Sequence, residues 1–298
     1  MKKIFVLISL GFLSTLSMIR DANASNLNLL YPLYSYPNWY SPESYIWDDI
    51  AAATKAIRIT AIVNPDNGPG LINSPNDDYQ NGLTELANNN AQMIGYVPTN
   101  YGNRNINDVK ADILKYNRDF NTQDYQVTGI FFDEVSVSTD SQLLNYYQEL
   151  YQFVKNSIDT PILDFVVFNH GTNTPEIYFN WADVNIIYED SFSNWTRYTP
   201  DSYINNYYSD GFGALVYSAE EATDMEVALD LILDRNIGYA FITDDSLPNP
   251  WDKLPSYWNE EVVFISSTTV PIPSAIYFLG TGLMMIFVRR QLQNFSNY

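Results

Sequence analysis

The chain has 298 residues, 15 basic and 35 acidic, for a formal charge of −20; it has no cysteine, one histidine, 6 Trp, 24 Tyr and 16 Phe. These numbers exclude a disulfide scaffold, a cysteine nucleophile and thiolate-bound metal. They also exclude multi-histidine zinc sites, nucleic-acid binding through clustered Lys and Arg and disorder.

In chain order, Met1 to Ala24 reads as a secretory signal. Lys2 and Lys3 start it, Ile4 to Ile19 is mostly apolar, and Ala22-Asn23-Ala24 is a small-x-small cleavage pattern, which places the cut before Ser25. The competing reading, a membrane anchor, suits such a short run poorly. The body, residues 25–269, alternates short apolar runs with amphipathic stretches. Strands are predicted at Leu27–Tyr34, Ile57–Asn64, Met93–Val97, Thr128–Asp133, Ile162–Asn169, Val184–Tyr188, Gly213–Tyr217 and Gly238–Thr243. Helices are predicted at Pro42–Thr54, Asp77–Asn90, Ile106–Phe120, Ser141–Ser157 and Ala219–Asp234, with weaker helical patterns around Pro175 and Tyr203. Several strand runs are continuously apolar, as suits parallel strands buried on both faces. Eight strands with intervening helices imply a single-domain α/β protein of the (β/α)8 TIM-barrel type. The competitor is an open doubly wound sheet. Its nucleotide-binding forms lose support because no G-x-G-x-x-G or phosphate-loop motif follows a strand.

Residues 270–298 read as a sorting tail. Ile272 to Val288 is apolar, just long enough for a membrane helix, and Arg289-Arg290 follows as a cytoplasmic stop. Val270-Pro271-Ile272-Pro273-Ser274-Ala275, the apolar stretch and the arginine pair together resemble a PEP-CTERM tail, with Val in place of the commoner first Pro. That resemblance implies processing by an exosortase-type enzyme, at least transient membrane attachment and a Gram-negative source. The expected location is the periplasm, outer surface or extracellular matrix, with or without an anchor. Without both ends the body carries 10 basic and 34 acidic residues.

Catalytic groups of such barrels sit at the C-terminal ends of strands. There the sequence places Tyr34 and Tyr36, Asn64, Tyr96 with Tyr101 and Arg104, Asp133-Glu134, Asn169-His170-Gly171, Glu189-Asp190 and Asp244-Asp245. Strand alternation prevents Asp133 and Glu134 from both pointing up the barrel axis. Adjacent carboxylates also suit a helix start, but Glu189 at the same height on strand 6 favours paired-carboxyl chemistry of the glycosidase kind. Asp133, Glu134 and Glu189 are the candidate catalytic residues. Tyr34, Tyr36, Asn64, Tyr96, Tyr101, Arg104 and Asn169 are candidate substrate contacts. Tyr34, Tyr36, Trp39, Tyr96 and Tyr101 offer faces for sugar stacking, against the plainer role of core and rim packing. Asp77-Asp78 and Asp244-Asp245 read as solvated turns rather than metal ligands, and no metal or cofactor is expected. His170 has no partner for a triad and reads as a loop or hydrogen-bonding residue.

Over about Leu30 to Val263 the chain resembles the spherulin 4 (spherulation-specific family 4) group. The motifs are Tyr31-Pro32-Leu33-Tyr34-Ser35-Tyr36-Pro37; Ile62-Val63-Asn64-Pro65 with Gly68-Pro69-Gly70; Gly95-Tyr96-Val97 with Thr99, Tyr101-Gly102 and Arg104; Gly129-Ile130-Phe131-Phe132-Asp133-Glu134; and Asn249-Pro250-Trp251-Asp252-Lys253-Leu254-Pro255-Ser256-Tyr257-Trp258. The resemblance implies a (β/α)8 glycoside hydrolase that cuts galactosamine-containing polysaccharide, with Asp133, Glu134 and Glu189 as its acidic residues. Asn169-His170-Gly171 stands where Asn-Pro-Gly is expected, which leaves the local loop shape open. A partly deacetylated galactosamine polymer is cationic, so the acidic body would attract it; the alternative is that acidity serves solubility. The rival to an endo-acting glycosidase is a non-catalytic matrix protein that binds polysaccharide in the same cleft.

Overall fold

The apolar runs form eight strands: β1 Asn28–Leu33, β2 Ile59–Val63, β3 Gln92–Pro98, β4 Val127–Asp133, β5 Phe165–Asn169, β6 Val184–Ser191, β7 Phe212–Tyr217 and β8 Tyr239–Ile242. In this computed structural model, residues 27–268 are described except 72, 73 and 158. The expected signal segment and tail lie outside those residues. No helix among the described residues is long and apolar enough to cross a membrane.

All eight strands are parallel and close into a barrel in sequence order, β8 pairing back onto β1. Every residue of β1 and β2 is buried, as strands covered by helices outside and by side chains inside must be. The expected barrel is therefore the fold, and the open sheet is excluded. Gly129, which begins the apolar run into Asp133, sits where strands crowd: a Cβ there would lie 2.4 Å from the Phe165 carbonyl oxygen.

Helices α1 Trp47–Ala53, α2 Asp77–Asn88, α3 Ile106–Asp119, α4 Ser141–Asn156, α5 Phe192–Trp195, α6 Ala222–Asp234 and α7 Trp258–Thr268 complete the fold. Asn76, Asn105 and Asp140 cap α2, α3 and α4 by accepting from backbone N–H groups of the first turn. Several boundaries differ from the expected ones. The helix predicted from Pro42 breaks into a short 3-10 turn at Pro42–Ser44 and then α1, because Tyr45 between them is extended. The predicted strand from Ile162 starts only at Phe165, past a turn at Pro161 and Ile162. The sixth strand runs three residues beyond Tyr188, because β7 goes on pairing with it: Glu189, Asp190 and Ser191 face Leu215, Val216 and Tyr217. After β5 and β6 the weak helical patterns become 3-10 turns at Glu176–Trp181, Ser202–Asn206 and Ser209–Gly211, with only the single turn of α5.

The last helix, α7, is absent from the sequence prediction, yet it secures the barrel seam. β8 meets β1 over two residue pairs only, Asn28 with Tyr239 and Leu29 with Ala240. Above them, the Ile242 N–H donates to the Glu261 carboxyl of α7 at 3.0 Å. Tyr31 of β1 packs on Phe241 of β8 (4.6 Å between centroids) and edge-on to Trp258 of α7 (5.8 Å). Glu261 is fully buried. Burial, with a smaller push from Asp244 and against the hydrogen bond from Ile242, raises its carboxyl to about 8. The folded state thus keeps a proton that the unfolded chain gives up near its ordinary value of 4.5. Stability falls as pH rises between those two values, by roughly 3–5 kcal/mol in all. Thermal melts from pH 5 to pH 9 are expected to show a steeper fall in midpoint for the wild type than for Glu261→Gln, which keeps the acceptor for Ile242. Parallel slopes would show that Glu261 carries none of this dependence.

Candidate active site

β4 carries Asp133 to the C-terminal rim, and its carboxylate collects three donors. The Tyr96 hydroxyl of β3 donates to Oδ2 at 2.6 Å, the Asn169 side-chain amide of β5 donates to Oδ1 at 2.7 Å, and the Glu134 backbone N–H donates to Oδ1 at 2.8 Å. Such charge-assisted bonds favour an ionised carboxylate. Glu189, on the extension of β6, takes the second hydrogen bond from the Asn169 amide nitrogen, at 2.5 Å. The Asn169 Oδ1 accepts from the Gly171 N–H at 3.1 Å. Two donated bonds and one accepted bond fix which way the amide points. Both carboxyls bond one nitrogen, so their oxygens lie no further apart than the two bonds end to end, about 5.2 Å.

The two carboxyls differ in setting. Burial, and next the Asp133 charge, raise Glu189 from 4.5 to about 7, against hydrogen bonds from Asn169 and the Trp251 side chain. Glu189 thus holds a proton it can give up near neutrality, beside a carboxyl ringed by three hydrogen-bond donors. Trp251, after β8, is a site residue that sequence reasoning placed only in a motif. Its packing against Phe241 and Tyr217 holds it over the barrel mouth.

Adjacent Asp133 and Glu134 part as strand alternation requires. Glu134 adopts a left-handed backbone, φ 53°. Its carbonyl accepts from the Tyr101 N–H (2.7 Å) and the Thr99 hydroxyl (2.8 Å), and its carboxyl accepts from the Asn100 N–H (3.1 Å). Glu134 therefore faces the loop after β3, while Asp133 faces Tyr96 and Asn169.

The expected substrate contacts separate into three groups. Tyr96 and Asn169 join the carboxyl pair directly, and Tyr34 stands edge-on to Tyr96 at 5.5 Å. Tyr36 sits on the outer rim, where its hydroxyl donates to Asp78 at 2.7 Å. Tyr101 is also exposed. Asn64 and Arg104 serve loops: Asn64 accepts from the Gly68 N–H, and Arg104 donates to the Pro98 carbonyl and pairs with Asp112 of α3. His170 is buried against Tyr178 (4.8 Å) with its Nε2 3.2 Å from the Asn185 amide oxygen. Burial lowers it to about 4, so it is neutral and stands below the site rather than in it. Gly171 beside it takes a left-handed φ of 65°. Asp245 pairs with Lys253 and Asp244 accepts from the Ser256 N–H, so that acidic pair holds a loop.

Beside Glu189 opens a cleft of about 430 Å³, lined by Gly171, Asp190, Asn194, Arg197 and Tyr198 among others. Asp190 there is satisfied by Ser191, Asn194 and Tyr217, which together hold it below its ordinary value against the opposing effect of burial.

The sequence pattern of spherulation-specific family 4 (Spherulin4) matches residues 28–265, most of the chain. The chain belongs to spherulation-specific family 4. Spherulin-4 of Physarum polycephalum is 28% identical over 254 residues, covering 82% of this chain and 71% of that protein. Among solved structures, Aspergillus clavatus Sph3 in complex with GalNAc superposes with a TM-score of 0.70 at 25% identity, covering 80% of this chain and 97% of Sph3. A trimodular GH5_4 endoglucanase is similar at a TM-score of 0.48 and 7% identity. The site of this spherulin-4 family member is thus built on strands that the family match spans from end to end.

Asn169→Ala removes the donor shared by both carboxyls. Its expected effects are a loss of about 1–3 kcal/mol in stability and a rise of Glu189 beyond about 7, since the amide bond opposes the upward shift. Carbon-13 titration of the glutamate carboxyls checks this. An unmoved Glu189 midpoint would remove the shared amide from the electrostatics of the pair.

Proposed function

We propose that this protein is a glycoside hydrolase that cleaves galactosamine-containing polysaccharide within the chain. The observation that carries the reading is the pair Asp133 and Glu189 on one amide nitrogen, one carboxyl surrounded by donors and the other raised to about 7 by burial and by its neighbour. Glu189 protonates the glycosidic oxygen as the bond breaks. Asp133 attacks the anomeric carbon. Glu189, now a carboxylate, then takes a proton from the water that displaces Asp133. Carboxyls about 5–5.5 Å apart go with retention, whereas inverting pairs stand about 6.5–9.5 Å apart; a limit of about 5.2 Å between the bonded oxygens supports retention. Tyr96 and Asn169 hold Asp133 in place, and Glu134 braces the loop after β3. The GalNAc bound to Sph3 supports an amino-sugar substrate. A binding protein has no use for a carboxyl raised to donate a proton beside a hydrogen-bonded anion.

Residues 25–269 are expected to release oligosaccharides from galactosamine polymers. Asp133→Asn and Glu189→Gln are each expected to lose at least about a hundredfold in kcat, as the removal of a catalytic acid or nucleophile does. The wild-type kcat/KM should fall on the alkaline side of about pH 7, where Glu189 loses its proton. Equal inertness of wild type and both variants on a panel of amino-sugar polymers would end the enzymatic reading.

We also propose that the protein is exported and reaches the periplasm, outer surface or matrix of its cell, with an exosortase-type enzyme acting on the tail. The support is the charged, apolar and small-residue order of residues 1–24 and the motif order of residues 270–298. Terminal peptide mapping of the protein from its native cells should find Ser25 first; an intact Met1 would contradict export by this route.

A further inference from the structure

The two ends of the barrel mouth are built differently. At the β5–β6 end Arg197 lines the cleft beside Glu189, its guanidinium donating to the Asn194 amide oxygen at 3.3 Å and forming no ion pair among the described residues. At the other end, where the loops after β1 and β2 meet, large aromatics stand in solvent: Trp39 is 57% exposed, Tyr40 61% and Tyr36 41%. Single exposed apolar residues are ordinary, whereas a group of them marks a binding surface.

This group is held in place. The Trp39 indole N–H donates to Asp78 Oδ1 at 2.8 Å, and the Tyr36 hydroxyl donates to Asp78 Oδ2 at 2.7 Å. The Asn76 amide donates to the Tyr36 hydroxyl at 2.8 Å. Tyr36 stands edge-on to Tyr79 (5.4 Å), which stands edge-on to the buried Trp47 (5.9 Å), so the rim is rooted in the core. Trp39 and Tyr40 meet edge to face at 5.8 Å, giving a flat surface with a wall. Asp78 has no Lys or Arg partner among the described residues, nor do Asp66 and Asp77 near it in the chain. Lys115, which reaches the Ser74 carbonyl of the same loop, is already paired with Asp119. The rim therefore offers a fixed aromatic face next to a carboxylate without a cation.

The rim lies within a bounded reach of the carboxyl pair. Tyr34 touches Tyr96, whose hydroxyl holds Asp133. Trp39 follows Tyr34 by five residues, a reach of at most about 18 Å.

We infer that Trp39, Tyr40 and Asp78 form a distal subsite for an amine-bearing sugar unit, several units from the bond that is cut. The apolar face of the sugar ring lies on the indole with Tyr40 as its wall, and its ammonium group meets the Asp78 carboxylate. This assignment rests on the glycosidase reading of the cleft for its place in the reaction, but its binding step is measurable alone.

The test measures both steps with partly deacetylated and fully acetylated galactosamine polymers. Binding is measured on the Asp133→Asn protein, with Trp39→Ala or Asp78→Asn added; hydrolysis is measured on the wild type and the same two rim variants. Trp39→Ala is expected to weaken binding of both polymers roughly three- to tenfold, as loss of one exposed aromatic contact does, and the loss in hydrolysis should appear in KM. Asp78→Asn should weaken the deacetylated polymer more than the acetylated one, since it removes the charge as well as one hold on the aromatic face, and added salt should erase that difference. Unchanged dissociation constants in both rim variants overturn the subsite even if the wild type hydrolyses the polymer. Binding that depends on Trp39 and Asp78 without any hydrolysis upholds the subsite and overturns the glycosidase reading. Absence of both binding and hydrolysis overturns both.

Discussion

Two carboxyls this close repel, and what keeps them together is the amide of Asn169. One nitrogen with two hydrogens serves both groups, so each carboxyl sees a donor where it would otherwise see only an anion. The repulsion that remains is still useful, because together with burial it raises Glu189 to about 7. The rest of the site follows from holding that amide still. The Gly171 N–H fixes its oxygen, and the left-handed Gly171 makes the turn that brings this N–H round. The neutral His170 fills the space beneath, packed on Tyr178. A charged histidine at that position would add a cation under the pair and pull Glu189 down.

Much of this was legible in the sequence. Continuous apolar runs located all eight strands, and the polar residues at their C-terminal ends located Asp133, Tyr96, Asn169 and Glu189. Strand alternation foretold that Asp133 and Glu134 would part. Which of the two faces the cleft depends on the left-handed turn at Glu134 and its bonds to the loop after β3, and these are tertiary contacts with no local signature. The length of β6 was missed because the sequence turns acidic at Glu189, whereas the strand continues for as long as β7 offers partners. Arg104 and Asn64 have the polarity of substrate contacts and also hold loops; polarity alone does not tell the two roles apart. The helix α7 was missed because only Trp258, Glu261 and Ile265 of it are buried. An acidic residue in that stripe blurs the apolar period, and that same residue closes the seam.

The site and the seam use a buried carboxyl in different ways. Glu189 is close to another anion and to solvent-facing chemistry, so its proton is available. Glu261 is fully buried and bonded to a backbone N–H, so its proton belongs to the fold. Neither role follows from the residue type; the donors around each carboxyl separate them, side-chain groups at Glu189 and the Ile242 backbone N–H at Glu261.

The left-handed backbones at Asn100, Tyr101 and Glu134 have a further consequence. Each costs a non-glycine residue on the order of 1 kcal/mol, and the three are joined by hydrogen bonds running from the loop after β3 to the end of β4. The two loops are consequently one mechanical piece. Strain relieved on either side is released on both, so the loop that carries exposed Tyr101 cannot be remodelled without moving the backbone that aims Asp133. The wall between β3 and β4 is therefore tied to the placement of the carboxyl pair.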